Sequence, residues 1–385
     1  MIYLDHNAST PVRPEVADAM DHALRTLSAN PSSAHREGQR VRAAIERARA
    51  QVARFVNAKE GEVVFVSGGT EGDHLALVGT ALAQRHVGTH VAYAALEHHA
   101  VHGAAALLHE LGWTHSELPC DADGRTRVDA VDALPAGTTV LSVMLANNET
   151  GVLQPVAELA ARAKARGIRV HCDAVQGAGK VPVDVAALGV DHLVLSAHKF
   201  GGPKGAAALV ARSGAPLSAL ARGSGHERGR RGGTENVAGI VGLGLACELA
   251  GAELELQAVR VGALRERFER GLAAALPDVV IHGVRAARLP NTTNASFPGA
   301  RADHLLLALD ARGVMASAGA ACASGKVEPS PVLKAMGVPA ELAVCALRFS
   351  LGATTTEAEV DEALAAIAAA VAAARASARG AGARA

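Results

Sequence analysis

The sequence has few aromatic side chains and no net charge. Its 385 residues include six Phe, two Tyr and one Trp, and 38 Lys and Arg balance 38 Asp and Glu. A dedicated nucleic-acid-binding protein needs an excess of basic residues and aromatic platforms on which bases stack. We therefore expect no direct binding to nucleic acid.

The sequence also lacks a long uninterrupted apolar run, although 49% of its residues are hydrophobic. The most alanine-rich stretch, 363–374, lies between Glu362 and Arg375. It is shorter than the ~18 apolar residues that a membrane-spanning helix needs. The first residues, Met1 to Asp5, show neither the basic nor the apolar part of a secretion signal. We therefore expect a cytoplasmic protein that does not contact a membrane.

Cysteine and lysine are both scarce. The five cysteines lie far apart, contain no C-x-x-C pair and are odd in number. This pattern argues against a disulfide framework and against a cysteine-type zinc site, and is typical of a reducing compartment. Only seven of the 38 basic residues are Lys, so a lysine at a prominent position calls for a chemical role that arginine does not fill.

Short β-like runs alternate with helical patterns from about residue 62 to about residue 235. The runs that we predict as strands are 63–67, 89–95, 138–145, 168–173, 192–197 and 205–211. This alternation predicts an α/β fold with a doubly wound, mainly parallel sheet. We assign the sheet to a large domain, 17–249, and expect a smaller α+β domain made of 1–16 and 250–385.

Small or polar residues follow the predicted strands, where ligands bind in sheets of this kind. Gly69 and Thr70 lie in a turn that leads from the first strand into a helix, so the backbone N–H groups and a hydroxyl there suit a phosphate. Asp173 ends the fourth strand and suits a protonated ring nitrogen. Lys199 follows the fifth strand, and a desolvated lysine amine can form a Schiff base. Together these groups indicate a site for pyridoxal 5'-phosphate (PLP).

Each of these motifs also has a purely structural interpretation. The segment 68–70 is a common turn, Asp173 is a possible helix N-cap, and Lys199 is a possible solvated charge. His98 and His102 are spaced as a metal-binding pair, but no third ligand is placed by spacing and no H-E-x-x-H motif occurs, so we predict no metal site. The PLP interpretation is favoured because every group follows a strand of one predicted sheet.

A series of motifs along nearly the whole chain resembles the cysteine desulfurases of the NifS/IscS type, most closely their NifS branch. The motifs are YLDHNASTP (3–11), NPSS (30–33), FVSGGTE (65–71), EH (97–98), ANNETG (146–151), HCDAVQ (171–176), SAHK (196–199), GHERGRRGGTEN (225–236), ACAS (321–324) with EPS (328–330), and LRFSLG (347–352). The resemblance implies a PLP fold-type I enzyme of the class V aminotransferase family. Such enzymes convert L-cysteine to L-alanine and a protein-bound persulfide. The resemblance also implies a homodimer, and a sulfur acceptor or iron–sulfur scaffold protein as a partner.

The resemblance assigns roles around the cofactor ring. Lys199 would be the Schiff-base lysine, and Asp173 would pair with the pyridine nitrogen. His98 would stack on the ring and shuttle protons. Gln176 and Asn148 would lie near the ring hydroxyl.

Further roles concern the phosphate and the substrate. The resemblance implies that the phosphate is held by Gly69, Thr70, Ser196 and His198, and by Thr234 of the partner subunit. Arg348 would bind the substrate carboxylate in a bidentate manner, which lysine does poorly. Asn148 and Asn7 would also contact the substrate.

Cys322 is the predicted nucleophile. It lies in a segment of small residues, 316–325, which suits a loop that delivers a thiol and then withdraws a persulfide. The thiolate is the reactive form, so we expect a nearby base or cation to lower the pKa of the thiol from ~8.5. The alternative is a small buried core residue, the usual fate of a free cysteine, and we assign that role to Cys120, Cys172, Cys247 and Cys345.

Two other functions are compatible with these residues. A selenocysteine lyase or another class V PLP enzyme would keep the Lys199 site without depending on Cys322. A non-catalytic scaffold protein would keep only the fold, but such a protein would have no reason to retain Lys199 and Asp173.

Overall fold

The computed structural model describes residues 1–319 and 328–382 of the chain. The described residues form twelve β-strands: β1 (Ile2–Tyr3), β2 (Val63–Val66), β3 (His90–Ala94), β4 (Thr114–Leu118), β5 (Thr138–Ser142), β6 (Arg169–Asp173), β7 (His192–Ser196), β8 (Ala207–Ala211), β9 (Val280–Ile281), β10 (Thr292–Ser296), β11 (Val314–Met315) and β12 (Ala346–Ser350). They also form eleven α-helices: α1 (Pro14–Thr26), α2 (Arg36–Phe55), α3 (Gly69–Ala83), α4 (His99–Glu110), α5 (Val156–Ala165), α6 (Val185–Leu188), α7 (Val237–Ala275), α8 (Ala302–Asp310), α9 (Pro331–Ala335), α10 (Ala340–Ala343) and α11 (Glu357–Gly382).

Seven strands form the main sheet, in the order β2-β8-β7-β6-β5-β3-β4. The pairs from β7 to β4 are parallel, whereas β8 is antiparallel to both β7 and β2. Every residue of β5 and β7 is buried, as is typical of parallel strands covered on both faces. The predicted α/β fold with a mainly parallel sheet is therefore confirmed.

The strands β2, β3, β5, β6 and β7 run in one direction, because β2 is antiparallel to β8 and β8 is antiparallel to β7. Their carboxyl ends consequently meet at one edge of the sheet. Side chains that follow these strands are brought together at that edge although they are far apart in sequence.

A second group of strands lies in smaller sheets. The order β12-β10-β9 is antiparallel, and β1 pairs in parallel with β11. Their hydrophobic cluster contains Leu4, Phe268, Phe297 and Phe349. The N-terminal residues thus pack with the C-terminal part of the chain. The division into 17–249 and 1–16 with 250–385 stays a prediction.

Helix α7 connects the hydrophobic cluster of the main sheet with the hydrophobic cluster of the smaller sheets. With 39 residues and ~1.5 Å of rise per residue, it is about 58 Å long. Ile240 and Leu243 in its first half pack in the cluster of the main sheet, and Leu264 and Phe268 in its second half pack in the other cluster. By length and apolar composition alone α7 could cross a membrane, but half of its most apolar window is buried within the protein, and core helices pass the same test.

Candidate active site

The carboxyl edge of the main sheet opens into a cavity of about 550 Å³. Most of the site residues expected from the sequence line this cavity. They are Asn7, Gly69, Thr70, His98, Asn148, Asp173, Gln176, Ser196, His198, Lys199 and Arg348. Thr234 is exposed and does not line the cavity of its own chain. Cys322 lies outside the described residues.

Lys199 ends a short 3₁₀ turn, Ala197–Lys199, directly after β7. Its Nζ donates to the backbone carbonyls of Asn7 at 2.7 Å and Ala8 at 3.1 Å. Burial lowers the pKa of the amine from 10.5 to about 8, and the positive charge of Arg348 contributes in the same direction. Proton loss from this lysine is therefore much easier than from a lysine in water.

Asp173 ends β6 and provides a buried carboxylate in the cavity. Its Oδ1 accepts a hydrogen bond from the backbone N–H of Val175 at 2.9 Å. Burial raises the pKa of Asp173 from 3.8 to about 7, and the nearby carboxylate of Asp73 raises it further. A cationic N–H placed against Asp173 would restore its ordinary ionisation. The protonated ring nitrogen of PLP is such a group, so the carboxylate fits the cofactor.

Helix α3 presents its N-terminus to the cavity. Its N-cap, Gly68, has no side chain that could accept from the first N–H groups, and no cap hydrogen bond is made there by a described side chain. A Cβ added at Gly72 would lie 2.8 Å from Val194 Cγ1. The glycine therefore allows α3 to pack closely on β7. The helix end, together with the Thr70 hydroxyl, fits a phosphate.

His98 caps the N-terminus of α4. Its Nδ1 accepts a hydrogen bond from the backbone N–H of Ala100 at 3.2 Å, which leaves the proton of the neutral ring on Nε2. Burial lowers the pKa of His98, and the charge of Asp173 opposes that shift. His102 packs edge-on against Tyr93. Within residues 1–319 and 328–382, no group of three or more His, Cys, Asp or Glu side chains is arranged to hold a metal ion.

Arg348 enters the cavity from β12, in the smaller sheet. Its Nη2 pairs with Asp5 Oδ1 at 2.6 Å, and its Nη1 donates to the Asn148 carbonyl at 3.2 Å. The buried Nε has no hydrogen-bond partner among the described residues. Nη1 and Nη2 each use one of their two N–H groups in these contacts, so Arg348 retains N–H capacity for an anionic ligand in the cavity.

Several buried acids at the site were not selected from the sequence. Glu149 accepts a hydrogen bond from Ser330 Oγ at 2.5 Å, and burial raises its pKa. A side chain at Gly319 would overlap the carboxylate of Glu149, so glycine lets the backbone approach this carboxylate closely. Asp73 lies 3.3 Å from His171 Nε2, and burial raises its pKa from 3.8 to about 8. Helix α3 also contains Glu71, so its sequence does not single out Asp73; only the burial of Asp73 in the fold distinguishes the two acids.

The comparison with protein families agrees with this geometry. The aminotransferase class-V family matches residues 2–363. The chain belongs to this family. The family resemblance expected from the sequence is therefore confirmed, and membership implies the use of PLP.

Within this family, the chain is similar to proteins named cysteine desulfurase. The chain is 44% identical to cysteine desulfurase IscS of Dictyoglomus turgidum, over 94% of this chain and 92% of the relative. It is 43% identical to cysteine desulfurase IscS of Methanosarcina thermophila, over 94% of this chain and 90% of that relative.

Solved structures also have the same fold. A NifS-like protein superposes with a TM-score of 0.90 at 34% identity, covering 96% of this chain and 99% of the other. SspA, solved in complex with cysteine, superposes with a TM-score of 0.80 at 31% identity, covering 91% of this chain and 99% of the other. These likenesses confirm the PLP fold-type I architecture.

Proposed function

We propose that this class-V enzyme is a PLP-dependent cysteine desulfurase that uses Lys199 and Cys322. One L-cysteine and the thiol of Cys322 give one L-alanine and one Cys322 persulfide, so that atoms balance and no external oxidant is required. The observation that carries the proposal is the meeting of Lys199, Asp173 and Arg348 in one cavity. Relatives named cysteine desulfurase, over 94% of the chain, support the same reaction.

The cavity residues divide into four groups around the cofactor. Asp173 would hold the ring nitrogen, Lys199 would hold the aldehyde carbon, and His98, Gln176 and Asn148 would surround the ring. The phosphate would contact Gly69, Thr70, Ser196 and His198. When bound, PLP delocalises the electron pair that remains on the substrate Cα after proton loss.

The chain's own residues bind the substrate and move its protons. Arg348 would bind the substrate carboxylate through its N–H groups, beside Asn148 and Asn7. The Lys199 amine, with its pKa lowered to about 8, would take the α-proton. His98 would hold a proton on Nε2 and deliver it as alanine forms. The Cys322 thiolate would attack the substrate sulfur.

A second copy of the chain would complete the phosphate site. Thr234 is exposed and does not line the cavity of its own chain, and we propose that it reaches the phosphate of the partner subunit in a homodimer. The segment that leads to Thr234 is held in place by a buried bidentate ion pair between Arg49 and Glu227, with both N···O distances at 2.9 Å. We further propose that the enzyme acts in the cytoplasm and passes sulfur to an acceptor or iron–sulfur scaffold protein.

Product analysis tests the proposed reaction. The PLP-loaded protein is expected to release alanine from L-cysteine continuously in the presence of a thiol reductant, with one sulfide for each alanine. The reductant is needed because it removes sulfur from the persulfide and regenerates the thiol. Release of pyruvate and ammonia in place of alanine would contradict the proposal.

The lowered pKa of Lys199 predicts how cofactor capture depends on pH. Only the neutral amine attacks an aldehyde, and its fraction rises tenfold per pH unit below the pKa. With a pKa of about 8, the rate of PLP attachment to cofactor-free protein is expected to rise up to about pH 8 and then to level off. The measurement is the initial growth of visible absorbance after PLP is added, in buffers without phosphate.

A small lysine analogue provides the control for this titration. Its ordinary pKa of about 10.4 makes its rate of PLP attachment rise well beyond pH 8. A protein rate that rises in parallel with that of the analogue would contradict the lowered pKa.

A further inference from the structure

A second buried lysine, Lys180, lies directly behind the Lys199 site. Lys180 is only 9% exposed, although lysine side chains are normally exposed. Its Nζ donates to Asn7 Oδ1 at 3.1 Å and to Gln176 Oε1 at 2.8 Å. Both acceptors are uncharged amide oxygens. Lys180 is therefore a buried hydrogen-bond donor and not half of a buried ion pair.

Both the oxygen and the nitrogen of the Asn7 side-chain amide form hydrogen bonds within the protein. Its Oδ1 accepts from Lys180 and from Asn291 Nδ2, the latter at 3.0 Å. Its Nδ2 donates to Thr292 Oγ1 at 2.9 Å and to the Asn148 carbonyl at 3.2 Å. A flipped amide would oppose its NH₂ group to the donors of Lys180 and Asn291 and its oxygen to the Asn148 carbonyl, so the observed orientation is preferred.

The backbone carbonyl of Asn7 connects this network to the catalytic amine. It accepts from Lys199 Nζ at 2.7 Å and from Gln176 Nε2 at 3.0 Å. A displacement of Asn7 would therefore move an acceptor away from Lys199.

Lys180 also determines which end of the Gln176 amide faces the cavity. Because Lys180 donates to Oε1, the NH₂ group must lie on the other side, where one N–H is bonded to the Asn7 carbonyl. The remaining N–H is available to the cavity that Gln176 lines. A flipped amide would place its oxygen against the Asn7 carbonyl oxygen, which is repulsive.

The charge state of Lys180 is consistent with this role. Burial lowers the pKa of its amine well below 10.5, and the positive charges of Lys199 and Arg348 lower it further. His6, whose own pKa is lowered to about 4, adds no further positive charge near neutral pH. Both the neutral and the protonated amine have enough N–H groups for the two acceptors.

We propose that Lys180 is a positioning residue that orients Gln176 to donate an N–H to the cofactor ring and keeps the Asn7 carbonyl on Lys199. The proposal rests on the proposed function, because it requires PLP in the cavity. A donated N–H stabilises an ionised oxygen on the ring. Loss of this donor therefore raises the pH at which the bound chromophore ionises.

A double-mutant cycle on the holoenzyme tests this role. The variants are Lys180→Met, Gln176→Leu and the double variant, with Lys180→Arg as the rescue that retains a donor. The readout is the midpoint of the pH titration of the visible absorbance. Lys180→Met is expected to raise the midpoint by about one pH unit, the effect of losing one hydrogen bond to a charged oxygen. The double variant is expected to match Gln176→Leu, and Lys180→Arg to return toward the wild type.

Thermal unfolding of each variant separates positioning from a merely structural role. Methionine has a similar length and needs no hydrogen bonds, so Lys180→Met is expected to fold. A lowered melting temperature with an unchanged midpoint would overturn the proposal, as would additive midpoint shifts in the double variant.

Alanine release by the wild type is measured in the same preparations. If the variants show the expected midpoint shifts but the wild type forms no alanine, the proposed reaction is overturned and the role of Lys180 stands. A wild type that binds no PLP would overturn both. Normal alanine release with no shift in Lys180→Met would overturn the role of Lys180 alone.

Discussion

Replacement of Lys199 by alanine is expected to reduce alanine formation from L-cysteine by about a thousandfold or more. The variant loses the group that holds the cofactor and the base that removes the α-proton. It should also lose the covalent attachment, so borohydride would no longer fix PLP to the protein. The measurements are alanine release at saturating PLP and mass analysis of the borohydride-treated chain.

Lys204→Ala is the matched control, because Lys204 lies five positions further along and is exposed. It is expected to retain both the activity and the borohydride-fixed cofactor. A Lys199→Ala variant that still carries the fixed cofactor would assign the attachment to another lysine. Lys180, whose amine also has a lowered pKa, would then be the first residue to examine.

The strands of the main sheet were predictable because burial on both faces leaves a continuous apolar run. The expected runs 192–197 and 205–211 correspond to β7 and β8, which end within one residue of the predicted positions. The edge strand β4 was not predicted. Its sequence, THSEL, is polar and mostly exposed, so it has no apolar pattern and is formed by pairing with β3.

The shortest strands could not be predicted from local sequence. β1 and β11 contain two residues each and exist because Ile2 pairs with Val314 and Tyr3 with Met315. More than 300 residues separate the partners, so only the tertiary fold brings them together. The long helix α7 differs from these strands, because a continuous helical pattern over about 236–276 predicts it from the sequence alone.

Site residues that directly follow a strand could be predicted from the sequence. Asp173 and Lys199 follow strands, and their carboxyl-edge placement follows from the parallel sheet. Lys180 and Glu149 are different, since their importance arises from burial and from contacts across the fold. The Nζ of Lys180 reaches Asn7 from a position 173 residues away, and no local pattern encodes that contact.

Replacement of Cys322 by serine is expected to abolish turnover of L-cysteine while leaving the cofactor site intact. A serine hydroxyl is not ionised near neutral pH and is a poor nucleophile toward sulfur, whereas a cysteine has an accessible thiolate. Alanine release is expected to fall by about a hundredfold or more. The visible absorbance, borohydride fixation and the spectral response to L-cysteine should persist.

Cys120→Ser is the matched control. Cys120 is the half-buried cysteine among those described, and Cys172, Cys247 and Cys345 are buried. Burial and the adjacent Asp121 raise the pKa of Cys120, so its thiol stays protonated and its loss should leave turnover unchanged. Mass analysis should find one additional sulfur atom on the Cys322 peptide of the wild type after exposure to L-cysteine, and none on the Cys120 peptide.

Selenocysteine as substrate distinguishes the desulfurase from the lyase. The carbon–selenium bond is weaker than the carbon–sulfur bond, so selenium release depends less on attack by a protein thiolate. A lyase would process selenocysteine equally well with or without Cys322 and would neglect L-cysteine. A desulfurase would process L-cysteine only with Cys322 present. Full L-cysteine turnover in Cys322→Ser would contradict the persulfide role, because the sulfur would then leave the substrate without a protein acceptor at that position.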